Sequence, residues 1–136
     1  MNYFTNIIGK GILYPFNLQT NSEGRTGIYP VDGSPDLIKE NISALLYYMV
    51  GFRIRQEPFG TRLWECIEEP NTQALSFLIR DFLVSAISTY EDRVTITSVD
   101  VSRADCKINI LISYRINNTD TSQYIGITYD LSNNTL

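Results

Sequence analysis

The chain contains no histidine. Histidine is the commonest general base and the commonest metal ligand. Its absence excludes Ser-His and Cys-His nucleophiles within the chain, and with them Cys/His zinc sites. Only two cysteines occur, Cys66 and Cys106, far apart in sequence. They are expected to be reduced, semi-buried thiols of a cytosolic protein. No Gly-x-x-x-x-Gly-Lys phosphate loop is present, and Gly9-Lys10-Gly11 is too short to cradle a phosphate, so it reads as a turn. The longest apolar stretch, Ile42 to Phe52, is broken by Ser43 and Gly51. It falls short of the roughly 20 residues that span a bilayer. Met1 to Asn6 lacks the basic start and apolar run of a secretory signal. Eleven basic and fifteen acidic residues give a formal charge of −4. That balance is too mild to name a partner, and it argues against a nucleic-acid binder. No metal, no cofactor and no membrane insertion are expected.

What is present is a chain of 136 residues with patterns of both periods. Its length predicts a single domain over residues 1–136. Residues 1–33 read as an extended arm, punctuated by Pro15, Gly24, Gly27, Pro30 and Gly33. Arg25 to Tyr29 could make a short extended piece, and long arms of this kind often touch a neighbour. A first helix opens at Ser34-Pro35-Asp36, with a cap, a proline at the first helical position and an acid at the positive dipole end. Ile38, Ile42, Leu45 and Met49 share one face, and Gly51 is the expected stop. Residues 52–70 are irregular, with Leu63, Trp64 and Ile67 in a short packed turn. A second helix is expected from an Asn71 cap to about Ser88, with Leu75, Leu78, Ile79, Phe82, Ala86 and Ile87 as its apolar stripe.

After Arg93 the period changes from 3.6 to 2. Val94 to Thr97 alternates, and Val99 and Val101 continue on shifted parity, which predicts a bulge. Turns at 103–105 and 117–120 separate this strand from Lys107–Ile116 and from Gln123–Asp130. The tail, Ser132 to Thr135, is expected to fray. The fold class is therefore α+β: an N-terminal arm and two helices packed on a three-stranded antiparallel meander.

The charged motifs bound the function. Glu57, Glu65, Glu68, Glu69 and Glu91 are the carboxylates that could serve glycoside hydrolysis, which needs two of them across a sugar-sized cleft. Glu57 and Glu91 lie near arginines, which lower a carboxyl's pKa and spoil a general acid. No catalytic residue is assigned, and the chain is not expected to be an enzyme. The corner Tyr90-Glu91-Asp92-Arg93 admits two readings: an internal clamp, with Arg93 or Arg53 bidentate on Glu91, or a surface that docks on another protein. On the docking reading, a Glu91→Lys reversal would leave the isolated fold nearly intact. The third strand carries no proline and only Asp130 as a charge. Such edges tend to accept another strand.

Four stretches carry a resemblance: Gly9-Lys10-Gly11-Ile12-Leu13-Tyr14-Pro15-Phe16, the helix and Gly-x-Arg turn over Leu45 to Gly60, Tyr90-Glu91-Asp92-Arg93-Val94, and Tyr114-Arg115-Ile116. Together they resemble the small baseplate wedge proteins of contractile phage tails, the gene product 25-like, lysozyme-like family. That family also holds the type VI secretion subunit TssE and subunits of extracellular contractile injection systems. The likeness spans about residues 7–130. It implies a structural subunit, assembled in the cytoplasm and then carried in the baseplate, which links the wedge core to the first sheath ring and templates the sheath by strand addition. Implied partners are baseplate wedge core proteins, sheath subunits, and central spike or tube proteins. By position, Glu91 and Arg93 would dock on the wedge's helical core with Arg53 in support. Tyr124, Ile125, Ile127 and Tyr129 would carry strand addition, and a proline at Ile127 would impair it. The family's Glu-Pro-Arg signature has Asp92 in place of proline, which gives up a fixed φ and adds a carboxylate beside Arg93. The alternatives are a peptidoglycan-cleaving, lysozyme-like enzyme and a regulatory adaptor with the same fold.

Overall fold

The computed structural model describes residues 8–66, 69–70 and 72–130. Ile67, Glu68, Asn71, the segment Met1 to Asn6 and the tail from Ser132 to Thr135 lie outside the described residues. Contacts divide the chain into two compact units, residues 1–42 and 43–136.

The first unit is more regular than a loop-like arm. β1 (Lys10–Gly11) pairs antiparallel with β4 (Val31–Asp32), and β2 (Gln19–Thr20) pairs with β3 (Thr26–Gly27). Both ribbons are two residues long on each side, too short to leave a period-2 signature in the sequence. The β1–β4 ribbon is supported by the Lys10–Asp32 ion pair at 3.2 Å. The β2–β3 hairpin turns on Asn21, whose side-chain oxygen accepts the Glu23 and Arg25 amides. α1 (Pro35–Tyr47) begins where expected: Ser34 Oγ accepts the Asp36 amide at 3.3 Å, and Asp36 lies in the first turn. Glu40 accepts the Tyr14 amide with both carboxylate oxygens.

α1 stops at Tyr47, four residues before the expected glycine. Met49 leaves the helix for an isolated parallel bridge with Thr61. This closes the loop 50–60 on itself: Thr61 donates to the Tyr48 carbonyl at 2.9 Å, and Gly51 donates to the Glu57 carbonyl at 2.7 Å. Gly51 and Gly60 both hold positive φ, at 95° and 121°. At Gly60 an added Cβ would lie 2.6 Å from the Tyr48 carbonyl oxygen, so only glycine fits that closure.

A short 3-10 turn, Leu63–Cys66, follows and buries both its end residues. α2 (Gln73–Tyr90) is capped by Thr72, whose hydroxyl accepts the Leu75 amide. Its fully buried positions are Leu75, Ile79, Leu83 and Ile87, one stripe at a strict spacing of four. Leu78 from the wider expected stripe faces solvent. α2 lies against β5, and Arg103 Nη1 donates to the Glu69 carbonyl at 2.8 Å.

The largest sheet has the order β5-β6-β7, from Val94–Ala104, Lys107–Ile116 and Ser122–Asp130, all antiparallel. The expected meander is thus one of three sheets among the described residues. The register slips between Ile96 and Ser98 opposite Tyr114 and Ser113, so Thr97 is the bulged residue that the parity change announced. One face is buried through Ile108, Ile110, Ile112, Tyr114, Ile125, Ile127 and Tyr129. The other is polar and wet, as one-sided antiparallel sheets are. The Tyr129 hydroxyl donates to the Leu46 carbonyl at 2.7 Å and ties β7 to the last turn of α1. Its burial drives the phenol pKa well above the ordinary value.

Candidate functional site

The corner between α2 and β5 brings two of the sequence-assigned docking residues together. Glu91 is the C-cap of α2, and its amide donates to the Ile87 carbonyl. It is 4% exposed. Arg93 closes a bidentate pair on it, Nε to Oε1 and Nη2 to Oε2, each at 2.5 Å. That hydrogen bond raises the Arg93 pKa further, so the cation is permanent. The Arg93 side chain keeps 27% of its surface exposed.

Asn117 holds this corner from the β6–β7 turn. Its backbone N–H donates to the Arg93 carbonyl at 2.8 Å, its Nδ2 donates to the Asp92 carbonyl at 2.9 Å, and its Oδ1 accepts the Thr95 hydroxyl at 2.6 Å. The role of Asn117 was not legible, because a turn-forming asparagine looks the same whether or not its side chain grips another segment. Asp92 itself is exposed.

Arg53 does not join the pair. Its guanidinium carbon lies 4.3 Å from the centroid of Phe59, whose ring is edge-on to Tyr48 and to Tyr90. Arg53 is thus connected to the corner through aromatic rings and carries no carboxylate partner among the described residues. The internal-clamp reading holds for Glu91 with Arg93. Because Glu91 is buried, a Glu91→Lys change would disturb the fold, contrary to the expectation that the isolated fold would tolerate it.

The strand-addition residues separate by parity. Ile116 donates to the Thr121 carbonyl and Asn117 to the Arg93 carbonyl, so even-numbered β6 amides face β7 and odd-numbered ones face β5. With the observed register, Ile125, Ile127 and Tyr129 spend their backbone groups on β6. Their side chains are buried. The backbone groups directed away from β6 belong to Ser122, Tyr124, Gly126, Thr128 and Asp130. Of the four residues named from sequence, only Tyr124, 70% exposed, lies on that outward set. Among the described residues β7 pairs with β6 alone. A proline at Ile127 would therefore cut the internal ladder rather than the edge.

Of the candidate carboxylates, Glu68 lies outside the described residues. Glu65 is held below the usual carboxyl range by its hydrogen bond from Arg62, 2.7 Å at the closest approach. Glu65 and Glu69 line an open cleft of about 450 Å³ beside α2. Glu57 is exposed on its loop. No three Cys, Asp or Glu side chains cluster as a metal site among them, and no described helix is long and apolar enough to cross a membrane.

The pattern of the family Baseplate wedge protein gp25 matches residues 34–121, well over half of the chain. The chain belongs to this family. Baseplate protein W of Escherichia phage P2 is 30% identical over 96 residues, covering 70% of this chain and 82% of that protein. Solved structures share its fold. A chain from Geobacter sulfurreducens, named as a candidate tail lysozyme, aligns with a TM-score of 0.68 at 22% identity over 74% of this chain and 94% of its own. A chain of the anti-feeding prophage baseplate gives 0.63 at 17% identity, over 97% of this chain and 92% of its own. A chain of the postcontracted pyocin R2 baseplate gives 0.59 at 16% identity, over 75% of this chain and all of its own.

Proposed function

We propose that this gp25-family chain is a non-enzymatic structural subunit of the baseplate of a contractile injection machine, which joins the wedge core to the first sheath ring and seeds the sheath by strand addition at β7. The whole chain acts as one wedge domain, assembled in the cytoplasm before the particle is complete. Family membership supports the baseplate role. The outer edge of β7 carries the finer reading: five residues direct backbone donors and acceptors outward, with no proline and no lysine among them to discourage pairing. Asp130, the one charged residue there, is 3.7 Å from Lys107. The Glu91–Arg93 corner is the surface proposed to meet the wedge's helical core, through the exposed part of Arg93 and with Arg53 behind Phe59. Its carboxylate and guanidinium satisfy one another, so docking there reads shape, the exposed part of Arg93 and the exposed Asp92 rather than a lone acid.

Thr128→Pro tests the edge. Its amide points away from β6, so the variant keeps the internal ladder and folds. The expected result is a folded, baseplate-incorporated subunit on which sheaths fail to initiate. Intact full-length sheaths on baseplates carrying Thr128→Pro would overturn strand addition at this edge. The lysozyme-like alternative predicts that the pure protein clears cell-wall suspensions and that Glu65→Gln abolishes the clearing; the tie between Glu65 and Arg62 leads us to expect no clearing.

A further inference from the structure

The loop between α1 and the 3-10 turn lends Arg53 and Phe59 to the corner above, but its tip, Phe52, Ile54 and Arg55, is used by neither surface. It is closed at its base by the Met49–Thr61 bridge and the Gly51-to-Glu57 hydrogen bond. Inside, Gln56 donates to the Arg53 carbonyl and Phe59 to the Gln56 carbonyl. Phe59 is gripped edge-on by two tyrosines and carries the Arg53 guanidinium on its face. A loop so cross-braced holds one shape without a partner. Yet its tip is apolar: Ile54 is 95% exposed and Phe52 70%. Phe52 also walls a shallow groove of about 300 Å³ with Tyr47, Tyr48 and Met49.

Isolated exposed apolar residues need no explanation, but a preorganised loop that presents two of them beside an aromatic groove does. Ordering entropy is already spent before any encounter, which favours tight association. The charge is also one-sided. Arg53 and Arg55 flank Ile54, and neither has a carboxylate partner among the described residues, in a chain whose formal charge is −4. Glu57 is the sole acid in the loop.

We propose that this loop is a docking knob for a neighbouring protein of the assembly, one that offers an apolar recess for Ile54 and Phe52 rimmed by carboxylates for Arg53 and Arg55. The proposal rests on the baseplate reading above. A protein partner fits better than an anionic lipid surface. Two arginines on an acidic chain give little long-range attraction to a membrane. Carboxylates beside an apolar pocket satisfy both features, and electrostatic contacts of this kind fix orientation as well as affinity.

The test uses the full chain within assembled particles. Ile54→Asp and Arg55→Glu change exposed tips and leave the folded melting temperature unaltered. Each is expected to lower incorporation into purified baseplates about tenfold or more, as loss of a central anchor does, whereas Phe77→Asp, on the exposed side of α2, does not. A photo-crosslinking residue at position 54 should join to a peptide of another baseplate protein that combines apolar and acidic residues. Wild-type incorporation of folded Ile54→Asp and Arg55→Glu overturns the knob alone. Binding of the wild-type chain to phosphatidylserine vesicles, lost in Arg55→Glu, assigns the loop to a membrane and also overturns it. Absence of the wild-type chain from purified baseplates overturns the proposed function and this inference together.

Discussion

Arg93 reaches back across a single residue to place two nitrogens on the two carboxylate oxygens of Glu91, each at 2.5 Å. The pair forms at a helix end where the chain must reverse into β5, and the acid is almost wholly buried. It fixes the corner from within, and Asn117 fixes it from the neighbouring turn.

Removing either half should therefore destabilise the isolated protein. Arg93→Ala leaves a buried carboxylate without its bidentate partner and is expected to cost about 3–5 kcal/mol. Asn117→Ala should cost about 1–2 kcal/mol through its lost side-chain hydrogen bonds, and Asp92→Ala, exposed, about 0.5 kcal/mol or less. Urea denaturation of the three variants checks the order. An Arg93→Ala variant as stable as Asp92→Ala would contradict the internal clamp.

Glycine is required at Gly60 more strictly than at Gly51. Both hold positive φ, but a Cβ at Gly51 meets nothing within 4 Å, whereas at Gly60 it meets the Tyr48 carbonyl at 2.6 Å. Gly51→Ala should cost about 1 kcal/mol and Gly60→Ala about 2–3 kcal/mol or more. Thermal melts of both variants decide this, and equal losses would mean that the contact with Tyr48 relaxes freely.

Tyr129 makes folding sensitive to alkali. Burial holds its phenol neutral in the folded state beyond the ordinary value of 10.0. The unfolded chain ionises first, so this contribution is whole below about pH 10 and is lost as pH rises above it. Denaturation midpoints should fall with pH above that value by a slope that Tyr129→Phe reduces by one proton. An unchanged slope in Tyr129→Phe would place the sensitivity elsewhere.

The sheet was the most legible part of the fold. β6 was bounded to the residue, and the parity change after Thr97 located the bulge, because a period of two leaves every inward residue visible. Asp105 and Asn118 fall in the two expected turns, and both hold positive φ, at 51° and 61°. The two-residue ribbons of residues 10–32 were invisible, since a pairing that short rests on turn hydrogen bonds rather than on side-chain pattern. The early stop of α1 escaped as well. Met49 continues the apolar spacing yet belongs to a bridge with Thr61, twelve positions on, and propensity carries no trace of such a contact. At the candidate site, Glu91 and Arg93 were readable because they are sequence neighbours. The division of β7 into inward and outward backbone groups was not, since side-chain alternation alone does not say which neighbour each amide serves.

One missing side chain then sets the grammar of the proposed strand exchange. Gly126 sits on the outward set of β7, opposite Leu111 and between Tyr124 and Thr128. It leaves a notch on the wet face, floored by the Leu111 side chain, whose Cδ1 lies 3.9 Å from where a Cβ would stand. A visiting strand with a bulky ring in register with Gly126 fills that notch, as aromatics shield glycines across neighbouring strands. The same strand slipped by one residue turns the ring to the opposite face. The edge would thus select the alignment of its guest as well as its presence.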